Sequence, residues 1–438
     1  MSEVSPPVRP RRLWPVYGVL LGLIAAFAIN EWQFYRLSNA FLNRREVGAG
    51  HETLELLSPT ARLDRIYKSM NGPRYNHALI PVSTTAAPEE TLWVTGIRTD
   101  LVDPYSGRVI SKEFFCHANL TLNPETLTPA EHNQLFPEPK HLNGTLFTLV
   151  PGLMEIQLPE GFGIPVHGNS KLDCYLMALN QNPGLPDRSL RMKTRIDIQQ
   201  DKPLKPLFYR TPILYQRYQE ASANTRVATL SLPGGMGLGH GMGSHPGELC
   251  APSCEKDQLG ALPTLFRTWT SGANGQAHLD RYCCVDNASL GGILEQFGND
   301  HTIHWMVPPG KHTYRAEVTQ QLNLPFNTTA HYITGHLHPM GTRLVLRDLD
   351  TEATVFEIDA KCLPDRLGVL EMSIIKSLEG IPIYTDHRYE LICDYDNTSN
   401  APVDAMAVLY FYLLDEERSK PAAIGGTLLT RLDAKAGE

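Results

Sequence analysis

The residues of this chain best suited to chemistry are two histidines spaced two apart, in Gly335-His336-Leu337-His338-Pro339-Met340-Gly341, and a methionine near the C-terminus, Met406. On a β-strand, side chains alternate between faces, so His336 and His338 point the same way and place two imidazoles side by side. The stretch Asp404-Ala405-Met406-Ala407-Val408-Leu409-Tyr410-Phe411-Tyr412 also reads as a strand, with Met406, Val408, Tyr410 and Tyr412 on one face. If the two strands are neighbours, a thioether joins the imidazoles. Such a donor set, with one soft ligand, suits copper in both of its common oxidation states better than calcium or magnesium. Zinc usually takes a cysteine or a carboxylate as its third ligand. The plain alternative is that the histidines are ordinary strand residues and the methionine fills the core.

The elements that must position these residues are strands. From about residue 91 to 208, runs such as LWVTGI, RVISKEFF, TLFTLV, MEIQL and RMKTRIDI alternate with Pro, Gly, Asn and Asp clusters at sandwich spacing. Strand signals return from 301 to 417, including a hairpin in which RLVLRDL and ATVFEID flank a turn at Asp350-Thr351-Glu352. The expected fold is all-β, with two tandem antiparallel, jelly-roll-like β-sandwiches at 61–208 and 301–417. Between them, residues 209–300 carry crowded glycines and Cys250, Cys254, Cys283 and Cys284, and read as an inserted region pinned by disulfides. This insertion also holds Met236, His240, Met242 and His245, a soft-ligand set that could recruit copper or be plain loop. His301, His304 and His312 flank the VPPG turn and read as turn and surface residues. Residues 418–438 form a tail.

Ahead of the sandwiches, Arg9, Arg11 and Arg12 precede an uncharged apolar run from Leu13 to Ile29. Residues 13–30 are just long enough for a transmembrane anchor, with 1–12 as a cytosolic tail. Ala26-Phe27-Ala28 keeps a cleaved signal open. Either way the bulk of the chain is expected to be extracytoplasmic, in a periplasmic, lumenal or extracellular space. Residues 31–60 then read as a stalk. Ser58-Pro59 reads as a helix start, with Leu63, Ile66, Tyr67 and Met70 on one face of a short helix.

The chain has 438 residues, 42% of them apolar and 20% charged, which is ordinary for two globular domains. Its formal net charge of -8, with no basic run beyond the N-terminus, argues against nucleic acid as a partner. Eight cysteines suit an oxidising compartment and a few disulfides whose pairing the spacing leaves open. Asn119, Asn143, Asn287, Asn327 and Asn397 lie in glycosylation sequons.

The region from about 303 to 414 resembles the C-terminal domain of the copper type II, ascorbate-dependent monooxygenases, the family of peptidylglycine α-hydroxylating monooxygenase and dopamine β-hydroxylase. Matching stretches follow in order: VPPGKH at 307–312, the His-x-His-x-x-Gly motif at 336–341, the hairpin after it, LICDYDN at 391–397, and a terminal strand with a methionine. The resemblance implies that His336, His338 and Met406 hold a catalytic copper. It also implies that Tyr410 helps hold a small organic or peptide substrate, that ascorbate is the reductant, and that the reaction is aliphatic C–H hydroxylation. Thr334 stands where peptide-hydroxylating members have an arginine, and Val408 where they have an asparagine. A peptide ending in glycine is therefore not the expected substrate, since its carboxylate would lack a cationic partner.

Family members carry a second copper, held in the first domain by adjacent histidines and a third one. The corresponding stretch here is Phe115-Cys116-His117-Ala118, and the third position falls near Leu179, with His167 in a preceding turn. Two readings stay open: a Cys116–Cys174 disulfide beside a solitary His117, or an altered copper site that includes Cys116 and His117. The enzyme reading competes with a non-catalytic extracytoplasmic copper-binding protein, and with a metal-free adhesive sandwich.

Overall fold

A computed structural model describes residues 40–67, 72–123, 144–182, 187–200, 203–217, 301–303 and 305–419. The apolar segment at 13–30, most of the glycine- and cysteine-rich insertion, His304 and the final tail lie outside these residues. Among the described residues, no helix is long and apolar enough to cross a membrane.

The described chain is nearly all strand. Its first half contains β1 (Leu42–Gly48), β2 (His51–Leu57), β3 (Ala61–Leu63), β4 (Arg74–Pro81), β5 (Thr91–Val102), β6 (Phe115–Leu122), β7 (Thr145–Leu149), β8 (Glu155–Gln157), β9 (Phe162–His167), β10 (Lys171–Ala178), β11 (Arg188–Gln199), β12 (Lys205–Arg210) and β13 (Gln216–Arg217). The second half contains β14 (His301–Thr302), β15 (Trp305–Val307), β16 (Gly310–Glu317), β17 (Thr328–Leu337), β18 (Gly341–Asp348), β19 (Thr354–Cys362), β20 (Val369–Met372), β21 (Ile375–Ile383), β22 (Tyr389–Asn397), β23 (Val403–Ala405) and β24 (Ala407–Leu414). The β18–β19 hairpin pairs around Asp350-Thr351-Glu352 as its alternation requires.

The two halves share a sheet. One long sheet runs in the order β1-β2-β11-β5-β9-β12-β24-β17-β21, and β12 joins the halves by pairing with β9 on one side and β24 on the other. A four-stranded sheet, β4-β10-β6-β7, belongs to the first half, and a five-stranded sheet, β16-β22-β18-β19-β20, to the second. The two smaller sheets cover opposite faces of β24. Phe147 of β7 packs on Tyr412 with ring centroids 5.6 Å apart, while Phe356 of β19 packs on Phe411 at 6.3 Å. Buried on both faces, β24 can be a near-continuous apolar run, AVLYFYLL.

Two expectations fail here. Residues 42–57, read as stalk, form β1 and β2, and Leu54 and Leu56 are core residues. The alternation of β2 is disguised by Glu52, a fully buried carboxylate bonded to Arg45, Ser83, Thr85 and Gln200. The helix expected from Ser58 is also absent from its described part. Instead β3 pairs with β11, and the Ser58 hydroxyl accepts from the Met192 amide rather than capping a helix. Tertiary pairing with a long strand outweighs a weak local helical period.

Expected disulfides are likewise not found among the described residues. Cys174 is a buried free thiol, pushed up to about 12 by burial, so no Cys116–Cys174 bridge forms. The register explains this. Cys174 stands opposite Leu120, four residues along β6 from Cys116, or roughly 13 Å at strand rise, beyond disulfide reach. Cys250, Cys254, Cys283 and Cys284 lie outside the described residues. The Asn397 sequon is structural, since its buried amide donates to the Val307 and Ala401 carbonyls at 2.9 Å each.

Candidate metal centre

His336 and His338 arise from β17 and its last turn, and the partner strand is β24. The antiparallel register sets Thr334 opposite Tyr410, His336 opposite Val408 and Leu337 opposite Ala407. One step on, the His338 amide donates to the Met406 carbonyl at 3.3 Å. Directly opposed residues share a face. The face carrying His336 and His338 is thus also the face of Met406, Val408 and Tyr410. Leu337, Leu409 and Phe411 take the other face, toward β18 and β19.

The imidazoles of His336 and His338 have centroids 5.1 Å apart and planes 74° apart. Two imidazoles sharing one ion tetrahedrally, through bonds of about 2 Å, hold their centroids about 5 Å apart. Both histidines are buried, and Met406 is half-buried at the edge of the core. The Nδ1 of His338 lies 2.8 Å from Oδ2 of Asp404. If that nitrogen carries the proton, Nε2 is the nitrogen a metal would take, an arrangement usual for metal-bound histidine. Among the described residues, no group of three or more His, Cys, Asp or Glu side chains is arranged to hold a metal ion. A third donor at the His336–His338 pair would have to be the Met406 thioether, whose residue the register sets on the same face. Two imidazoles and a thioether are donor types that suit copper.

Tyr395, which the sequence reading did not single out, ties the backbones of His338 and Met406 together. Met406 lies between β23, which pairs with β15, and β24, which pairs with β17. At that changeover the Tyr395 hydroxyl accepts from the amides of His338 and Met406, each at 3.2 Å, and donates to the Met406 carbonyl at 2.8 Å. Burial holds its phenol well above the ordinary value, so it remains protonated and able to donate. Asp404 was also missed. Its one available signal was its place two residues before Met406, on the same strand face.

Tyr410 is buried, with its ring 6.0 Å from that of Tyr209, and burial raises its phenol well above the ordinary value. Thr334 is fully buried and donates to the Ser373 carbonyl. His117 on β6 stands opposite Met177 of β10, and its ring lies 6.0 Å from that of His336, edge-on. The Cys116 sulfur is 2.9 Å from His117 Nδ1. His117 is thus brought to the His336 face from the other half of the chain. Leu179 is buried, with its amide on the Phe114 carbonyl, while His167 ends β9 in the long sheet rather than the sheet of His117. His312 contacts the Pro309 carbonyl across its turn, as expected of a turn residue.

No family model and no curated protein matches the chain. Among solved structures, a peptide-N(4)-(N-acetyl-β-D-glucosaminyl) asparagine amidase is similar at 8% identity and TM-score 0.30, over 88% of this chain and 98% of that one. A β-porphyranase of glycoside hydrolase family 86 from the human gut bacterium Bacteroides plebeius gives 6% identity and TM-score 0.19, over 85% and 37%. The Sulfolobus turreted icosahedral virus structure gives 6% and 0.15, over 86% and 60%. Likeness at this level carries no argument about activity.

Proposed function

We propose that this chain is a copper-dependent monooxygenase-like protein that hydroxylates an aliphatic C–H of a small organic or peptide substrate with dioxygen and a reductant such as ascorbate. The observation that carries the proposal is the β17–β24 register, which sets His336, His338 and Met406 on one face. Copper, when bound, supplies the dioxygen chemistry and the hydrogen abstraction. The chain's own residues orient and enclose. Asp404 fixes the His338 tautomer, Tyr395 holds the two strands in register, and Tyr410 contributes a wall to the substrate side. In this reading the fold is two jelly-roll-like sandwiches in tandem after a transmembrane helix at 13–30, with the bulk of the chain extracytoplasmic.

A second reading is a copper-binding protein without turnover. It is favoured by Cys116 standing where an electron-transferring site would need histidine, and by the burial of Tyr410. Metal analysis of the purified chain, paired with an oxygen-electrode trace, separates the two. Copper binding with ascorbate-dependent oxygen uptake is the expected result. Copper binding without uptake supports the binder, and absence of copper binding sinks both.

A further inference from the structure

We propose that His117 belongs to the same centre as His336 and His338, so that one metal ion bridges the two halves of the chain. The inference rests on the copper reading above and names a ligand that reading does not require.

His117 comes from the small sheet of the first half, while His336 comes from the long sheet in the second. Their rings nevertheless meet edge-on, at 6.0 Å between centroids and 63° between planes. Two imidazoles bound across one ion through bonds of about 2 Å can span roughly 6 Å. The 6.0 Å spacing is at that limit and wider than the 5.1 Å between His336 and His338, so His117 must turn toward His336 to bind. The three rings do not converge in this structure, and among the described residues no group of three or more His, Cys, Asp or Glu side chains is arranged to hold a metal ion.

Two further features point the same way. His117 Nδ1 contacts the Cys116 sulfur at 2.9 Å, as His338 Nδ1 contacts Asp404 at 2.8 Å. If each Nδ1 carries the proton and donates to its neighbour, Nε2 of both rings is the nitrogen left for a metal. The two halves are also joined by direct polar contacts. Arg366 pairs with Glu113 at 2.8 Å, Asn182 exchanges hydrogen bonds with the backbone of Leu367 at 2.8 and 3.0 Å, and the Met372 amide donates to the Gly152 carbonyl at 3.1 Å. The resulting set of three imidazoles and one thioether can serve both common copper oxidation states.

The test loads the purified full chain, in mild detergent, with copper alone. Stoichiometry is read by elemental analysis, affinity by competition with a chromophoric chelator, and nitrogen ligation by electron paramagnetic resonance of the Cu(II) form. One copper per chain is expected, with hyperfine splitting from three nitrogens. His117→Ala should weaken binding on the order of 100-fold and reduce the pattern to two nitrogens. His117→Gln, which keeps a polar side chain, gives the same readout if the alanine variant fails to fold. Two coppers per chain, or His117 variants that bind within threefold of wild type, overturn the inference. If His338→Ala abolishes binding while the His117 variants do not, the copper reading stands and the shared centre fails. If His338→Ala has no effect, the copper reading itself fails.

Discussion

The replacement Tyr395→Phe is the sharpest probe of how the site is built, because it deletes one oxygen and keeps the ring. The ring is fully buried and packs edge-on to Trp305 and Tyr314, at 6.3 and 6.4 Å, so phenylalanine can fill the same space. Three hydrogen bonds disappear: those from the His338 and Met406 amides and the one to the Met406 carbonyl. His338 keeps its weaker bond to the Met406 carbonyl at 3.3 Å. The Met406 amide loses the hydroxyl, and a buried donor left without a partner costs about 1–3 kcal/mol, against about 1 kcal/mol for each ordinary bond lost. The variant should therefore be less stable by about 2–4 kcal/mol, seen as a lower urea midpoint with an unchanged denaturant slope. On the proposed copper reading, affinity for copper should fall by about 10–100-fold, because the strands carrying His338 and Met406 lose their common anchor. A loss of stability under about 0.5 kcal/mol, together with unchanged copper affinity, would refute the clamp and the positioning argument built on it.

Three further outcomes are expected. On the same copper reading, Asp404→Asn should weaken copper binding about 10–100-fold, measured by chelator competition, since its carboxylate contacts His338 Nδ1. Gly335→Ala should destabilise by about 1–3 kcal/mol in urea unfolding. Its new Cβ would lie 2.5 Å from Leu344 Cδ1 and 2.9 Å from the Val408 carbonyl oxygen, which belongs to the ladder that sets the site. His387 and Asp348 give a pH signature. The hydrogen bond to Asp348 raises His387 above 6.5, while burial pushes the Asp348 carboxyl up but is outweighed by its bonds to His387 and to the Thr351 and Asp350 amides, which hold it low. The raised group stabilises below its unfolded value and loses that contribution as pH rises through its folded value. The depressed group stabilises above its unfolded value and loses that contribution as pH falls through its folded one. His387→Asn should shrink the drop in urea midpoint between about pH 5.5 and pH 8.5, and an unchanged drop would refute the assignment.

Local pattern carried much of this protein's architecture and failed where long-range pairing decided. The apolar, β-branched and aromatic run Ala407–Leu414 and the turn chemistry at Asp350-Thr351-Glu352 were legible because strand propensity and hairpin geometry depend on neighbouring residues alone. The β1–β2 hairpin was missed because Glu52 interrupts an otherwise apolar alternation, and its compensation comes from Arg45, Ser83, Thr85 and Gln200, which no local window contains. Ser58-Pro59 carried a genuine helix-start signal, yet the segment after it serves β11 instead.

For the candidate site, the sequence by itself determined that His336 and His338 share a face, and that Met406 shares one with Tyr410, because strand geometry repeats every two residues. Only the tertiary structure decided that these two faces are the same one, that Tyr395 and Asp404 support it, and that His117 approaches it from the other half. Those facts depend on which distant strands become neighbours. That choice is made by burying β17 and β24 on both sides at once, a property of the whole core and of no single segment.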